Sequence, residues 1–212
     1  MFKRITTILI SFLLLTASAH AGGKVGASLA YGNADSSGTI TEGSTETAKS
    51  GDDNSPLVQF FAEAQVEDSP FSIGIAFMPL SEIADVDGTV TDATIKITKH
   101  FTLYGKLEGE FPLGGLVFAK AGISRGDLKV DSLTTTSGDG LVDNVDTLMG
   151  HTVGLGYERD LGTDAFIRAE VNYTSYDDVT GTSNNLAGND TAKTFKADLD
   201  LTMFMISVGK KF

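Results

Sequence analysis

Cysteine is absent from all 212 residues. In a chain whose N-terminus reads as an export signal, that excludes a disulfide framework and thiolate metal sites. Basic residues are scarce, with 16 Lys and Arg against 28 Asp and Glu and a formal net charge of −12. Such a balance argues against nucleic acid or an anionic surface as the main partner. Histidine occurs three times, which leaves few candidates for general-base chemistry. Past the N-terminus, no apolar run reaches the roughly 18 residues that suggest a spanning helix. Any membrane crossing must then be a closed barrel, because hydrocarbon tolerates only helices and closed sheets.

What is present begins with a targeting pattern. Lys3 and Arg4 precede an apolar core, Ile5 to Leu15, and an A-x-A site, Ala19-His20-Ala21. Residues 1–21 are therefore expected to be a cleaved signal peptide, leaving 22–212 as one domain. Loss of Lys3 and Arg4 would take the net charge from −12 to −14.

The remaining chain alternates with a period of two in eight runs. They start at about Lys24, Leu57, Phe71, Thr91, Leu116, Thr147, just past the turn Asp160 to Asp164, and Phe195. The seventh is the clearest: Ile167, Ala169, Val171 and Tyr173 alternate with Arg168, Glu170, Asn172 and Thr174. The second sets Val58, Phe60, Ala62 and Ala64 against Gln59, Glu63 and Gln65, and the fifth sets Val117, Ala119, Ala121 and Ile123 against Lys120 and Ser124. In the fourth, Ala93, Ile95, Ile97, Phe101, Leu103 and Leu107 form one apolar set that Lys99 interrupts. Long polar connections (33–55, 81–90, 131–146, 177–194) alternate with short turns. This is the rhythm of an antiparallel membrane barrel with its long loops at one end. In the last run the apolar residues fall on odd positions up to Met203 and on even positions from Phe204. Either a bulge near Thr202 or an apolar upper interior accounts for the change.

The ending Ile206-Ser207-Val208-Gly209-Lys210-Lys211-Phe212 resembles the C-terminal strand of bacterial outer-membrane barrels. With Lys99-His100-Phe101-Thr102-Leu103-Tyr104 and Leu116-Val117-Phe118-Ala119-Lys120-Ala121-Gly122, it makes the chain similar to the small outer-membrane barrel family of the OmpA/OmpX type. The resemblance implies an all-β, eight-stranded, antiparallel, up-and-down transmembrane barrel in the outer membrane of a Gram-negative bacterium. It implies export through the periplasm, and Phe204, Ile206, Val208 and Phe212 as the signal read by the outer-membrane insertion machinery. No peptidoglycan-binding segment is expected after Phe212, and a monomer is expected.

A barrel of this size has an interior just wide enough to be filled by side chains. Glu63, Lys120, Arg168 and Glu170 are the expected interior charges, forming a paired network. His100 is expected to hydrogen-bond inside and His151 to lie at the interface, so neither has an evident catalytic partner. No cofactor or metal site is expected: the aspartates of the long connections are spaced unlike a calcium loop. Lys99 is open to two placements, at the outer interface against lipopolysaccharide phosphates or as a solvated charge on a projecting sheet. The expected function is a non-enzymatic outer-membrane barrel with a structural or surface-interaction role through long acidic extracellular loops. The alternative is a narrow pore or small-ligand transport barrel.

Overall fold

The computed structural model describes residues 22–87, 91–112, 114–135, 147–183 and 193–212. The signal-peptide segment lies outside them. Nine strands follow in chain order: β1 Gly23–Glu42, β2 Thr45–Gln65, β3 Phe71–Asp87, β4 Thr91–Glu110, β5 Leu116–Thr135, β6 Thr147–Leu161, β7 Ala165–Tyr176, β8 Val179–Ser183 and β9 Lys193–Lys211. Each pairs antiparallel with its neighbour, and β1 pairs with β9 from Lys24↔Lys211 to Glu42↔Lys193. That pairing closes an eight-stranded barrel, with the short β8 laid against β9 beyond the end of β7.

The alternation of the sequence becomes the two faces of the wall. Along β7 every second residue is buried from Phe166 to Tyr176, and the residues between them are exposed. Outward positions carry Val58, Leu103, Val171 and Val208, all exposed, with Phe60 and Ile75 half-buried on the same surface. No helix among the described residues is long and apolar enough to cross a membrane. The crossing elements are strands.

Two of the expected loops are strand. The stretch 33–55 is the upper part of the β1–β2 hairpin, paired as far as Glu42↔Thr45 and turned at Gly43 in the left-handed region (φ 62°). The stretch 177–194 contains β8. The connections at 81–90 and 131–146 are shorter than expected, because β3 runs to Asp87 and β5 to Thr135; residues 88–90 and 136–146 fall outside the described set. In the β1–β2 hairpin, Ser, Thr, Asp and Gly dominate residues 33–55 and leave no apolar alternation, so this segment is strand by virtue of the neighbours it hydrogen-bonds.

The fourth run also needs correction. The register of β4 on β5 slips between Thr98↔Asp127 and Phe101↔Arg125, and Lys99 takes a left-handed backbone (φ 53°). This is a β-bulge, one extra residue that reverses the phase of the strand. Ile97 consequently points inward and is fully buried, whereas Phe101, Leu103 and Leu107 point outward. Near Thr202 there is no slip, since β9 keeps one register with β1 throughout. Leu201, Met203 and Met205 are buried, and the upper interior is apolar.

The β2–β3 ladder is short, from Phe60↔Phe77 to Gln65↔Ser72. Beyond it β2 continues on β1 and β3 on β4. Pro56 and Pro79 lie just past this ladder in their strands; neither has an N–H to donate, and proline is tolerated where a strand edge is free.

Candidate functional site

The interior is built in three layers. Nearest the short turns is a charge network of four cations and four carboxylates: Lys24, Lys106, Lys120 and Arg168 with Glu63, Glu108, Glu158 and Glu170. Arg168 on β7 donates from Nη1 to Glu63 Oε1 and from Nη2 to Glu63 Oε2, both at 2.8 Å. Its Nε and Nη2 also reach Glu158 Oε2 at 3.1 and 2.7 Å. Glu63 further accepts from Tyr104 Oη at 2.8 Å and is paired with Lys106. Lys24 bridges Glu108 at 2.7 Å and Glu158 at 2.8 Å, and Lys120 pairs with Glu170. Equal numbers of each sign, all in contact, offset the several kcal/mol per ion that burial costs.

Aromatic rings wall the network. The Arg168 guanidinium carbon lies 4.5, 4.9 and 5.3 Å from the ring centres of Phe61, Phe118 and Phe166, and Lys120 Nζ lies 4.6 Å from that of Tyr104. Each of these rings covers a glycine directly across the ladder. The pairs are Phe61 with Gly26, Tyr104 with Gly74, Phe118 with Gly156 and Phe166 with Gly209. A ring laid over the bare backbone of a glycine fills space that no other side chain occupies, and it fixes the register of both strands.

Above the charges runs a belt of hydroxyls. Thr102 to Ser124, Ser124 to Thr152 and Thr152 to Thr174 are 2.8, 2.6 and 2.8 Å, crossing β4 to β7, and Ser28 meets Ser207 at 2.8 Å between β1 and β9. The third layer is apolar: Ala30, Ala34, Leu57, Met78, Ile97, Leu148, Tyr176, Leu201, Met203 and Met205 form one cluster. Met78 and Ile97 are 0% exposed.

Glu63, Lys120, Arg168 and Glu170 thus share one network. Lys24, Lys106, Glu108, Glu158 and Tyr104 belong to it too and were not singled out from the sequence, though their phase along each strand is that of the inward set. His100 is buried with Nε2 2.8 Å from Tyr176 Oη, and His151 is exposed on the outer wall. Glu63, Glu108 and Glu158 could each offer an oxygen to one ion, all within 4.8 Å of one another. Lys24, Lys106 and Arg168 already occupy those oxygens, so the donor set does not fit a metal.

Phe204, Ile206, Val208 and Phe212 face outward, each more than half exposed, and Phe212 N donates to Gly23 O at 2.8 Å. Lys99 is exposed on the outer wall, its ammonium 3.0 Å from Asp127 Oδ2. Between β7 and β8, beside the extension of β9, Asp178 is held below its usual range by hydrogen bonds with Asp198 and Lys196; Asp198, beside Asp178, is raised.

The family described as outer membrane protein beta-barrel domain matches residues 7–212. No curated protein matches the sequence. Among solved structures, Neisserial surface protein A is similar with a TM-score of 0.50 at 11% identity, covering 87% of this chain and 97% of that one. The attachment invasion locus protein Ail of Yersinia pestis gives 0.46 at 10% identity, covering 90% and 99%. The outer membrane protease OmpT of Escherichia coli gives 0.47 at 7%, covering 93% and 100%. At such identities the likeness is one of fold.

Proposed function

The chain belongs to the outer membrane β-barrel family, and on that premise we propose that it is a non-enzymatic, non-conducting barrel that acts structurally and, at the cell surface, through the acidic strand extensions that stand above its wall. One observation supports this reading: among the described residues a packed apolar layer lies above a salt-bridged lower interior, which favours a lumen filled by side chains. His100, sealed in that layer against Tyr176, and His151, on the outer wall, are both poorly placed for proton transfer to a water-borne substrate. The outward residues Phe204, Ile206, Val208 and Phe212 fit a strand read by the outer-membrane insertion machinery after export through the periplasm. The surrounding lipids would include lipopolysaccharide in the outer leaflet, and the barrel works as a monomer.

Planar-bilayer recording of the refolded protein tests the reading. Silence is expected from the wild type. A steady single-channel conductance from it would instead favour a narrow pore or small-ligand transport barrel.

A further inference from the structure

One seam of the wall stops short. Between β2 and β3 the ladder has six pairs, Phe60↔Phe77 to Gln65↔Ser72, fewer than the roughly 9–11 residues that a spanning strand needs. Above it, Leu57 and Val58 on β2 and Met78 and Pro79 on β3 have no partner across this seam among the described residues. On their other sides β2 stays paired to β1 and β3 to β4. Pro56 and Pro79 bring no N–H with which to close the seam. Unpaired backbone at membrane depth is tolerated only where protein covers it or where it lines a cavity, so an open seam at this depth calls for an occupant.

Behind the seam lies the apolar layer. Leu57 and Met78 turn inward there and share one cluster with Met203, Met205, Ala30 and Ala34. Two polar side chains stand at its foot: Gln59 on β2, and His100 on β4 directly across the ladder from Met78. His100 is 1% exposed, its Nε2 is 2.8 Å from Tyr176 Oη, and its Nδ1 has no hydrogen-bond partner. A buried ring nitrogen left unpaired is rare and costly. Methionine side chains are unbranched and repack readily around a guest, and this layer has three of them in Met78, Met203 and Met205. The outer lip is apolar too, with Val58 and Pro79 exposed and the Phe77 ring 4.6 Å from that of Phe101.

We propose that this seam admits an uncharged, lipid-soluble molecule with a single hydroxyl, a fatty alcohol or an alkyl phenol. Its hydroxyl pairs with His100 Nδ1, and its apolar body lies among Leu57, Met78, Met203 and Met205. A hydroxyl both donates and accepts, so it serves either tautomer of the ring. A carboxylate or phosphate does not suit the site, because the apolar cluster contains no cation among the described residues and a lone buried anion is costly. Such a site rests on the membrane placement given above and adds a bound ligand to a barrel closed to water. It needs no passage through the charge network below.

The test uses the refolded protein in phospholipid nanodiscs, with isotope-labelled methionine methyls and histidine nitrogens, titrated with decanol or with decane. Met78, Met203 and Met205 report on the interior, while Met149, exposed on the outer wall, reports on alcohol dissolved in the lipid. With decanol the interior methyls and His100 Nδ1 should shift to saturation, and Met149 should shift only in proportion to dose. Decane should bind about fivefold or more weakly, the size of one neutral hydrogen bond, and leave Nδ1 unmoved. In His100→Phe the two ligands should bind alike. The route is tested with Val58→Cys and Pro79→Cys together, in a chain that otherwise lacks cysteine, before and after bridging by a bifunctional maleimide. The bridged protein should no longer take up decanol.

Proportional shifts at every methionine, or equal affinity for decanol and decane in the wild type, would overturn the site. Unchanged uptake after bridging would overturn entry through the seam. Should His100→Phe not fold, the Nδ1 resonance of the wild type decides between the same outcomes. An error in the membrane placement would show differently, as failure of the wild type to enter lipid bilayers.

Discussion

Arg168 and Glu63 form a two-pronged ion pair in the barrel interior, Nη1 to Oε1 and Nη2 to Oε2 at 2.8 Å each, with the guanidinium 2% and the carboxylate 1% exposed. The two residues come from β7 and β2, three strands apart around the barrel by way of β1 and β9, so the pair ties non-adjacent parts of the wall through the interior. Removing one partner leaves the other charged and dry. Glu63→Ala should destabilise the refolded barrel by about 3–5 kcal/mol, the range for an orphaned buried charge, measured by urea unfolding in micelles. A loss below about 1 kcal/mol would show that water enters the network freely.

The aromatic rings around that pair make a second prediction. A Cβ on Gly156 would strike the Phe118 ring and come within 2.8 Å of Ala169 O, whereas one on Gly109 would meet nothing within 4 Å. Gly156→Ala should therefore cost about 1–3 kcal/mol, the usual range for overpacking, and Gly109→Ala should be tolerated. Equal melting temperatures for the two variants would remove the ring-over-glycine pairs from any account of stability.

How far these arrangements can be read from sequence differs by strand. The faces of β7 are legible because no residue between Ala165 and Tyr176 breaks the period, so Arg168 and Glu170 share a phase with Phe166 and Asn172. In β4 the period changes sense at Lys99, and only the ladder shows it. A left-handed lysine has no sequence mark as a glycine would. The sequence pattern groups Ile97 with Phe101 and Leu103 for that reason, whereas the strand turns it inward. The upper halves of β1 and β2 are illegible for a different cause. Polar residues dominate both strands there, and the pairing is held by the backbone ladder with only local side-chain bonds, Asn33 to Asn54 and Ser36 to the Gly51 carbonyl. The network was legible only in part: Glu63 and Arg168 stand out against apolar neighbours, whereas Lys24 sits next to the expected cleavage site and Glu108 next to a turn.

The outward face gives a third prediction. Val171 lies mid-strand on the outer wall between Leu155 and Phe204, and Ser175 lies outward near the upper end of the same strand. An arginine at the bilayer midplane costs roughly 2–4 kcal/mol and near the interface roughly 0–1. Val171→Arg should lower refolding yield into lipid vesicles far more than Ser175→Arg. The inward Thr174 would not serve as the reference, because it is 0% exposed and bonded to Thr152.

Phe212 closes the wall through its backbone bond to Gly23 and presents an exposed ring. Phe212→Ala keeps the bond and removes the ring. If the ring is what the insertion machinery reads, the variant should be exported normally and refold normally in vitro, yet give less folded barrel in the outer membrane. Unchanged outer-membrane yield would separate Phe212 from assembly.

The last prediction concerns the row of carboxylates that Asp35 forms with Asp52 on β2 and Asp200 on β9. Like charges directly opposite one another on a sheet work against pairing, and here two such contacts converge on one residue. The hairpin extension survives because β1 is hydrogen-bonded on both sides over its full length. Asp35→Asn keeps the shape and removes both repulsions, so it should tighten the extension without touching the wall below. Amide hydrogen exchange at Ser36 and Gly51, which face each other across the ladder, should slow a few-fold at low salt. Amides of β7 should be unchanged. Because Asp35 and Asp52 are exposed and Asp200 half-buried, the difference should shrink as salt shortens the screening length. A slowing that persists at high salt would mean that the asparagine acts by a new hydrogen bond rather than by relief of repulsion.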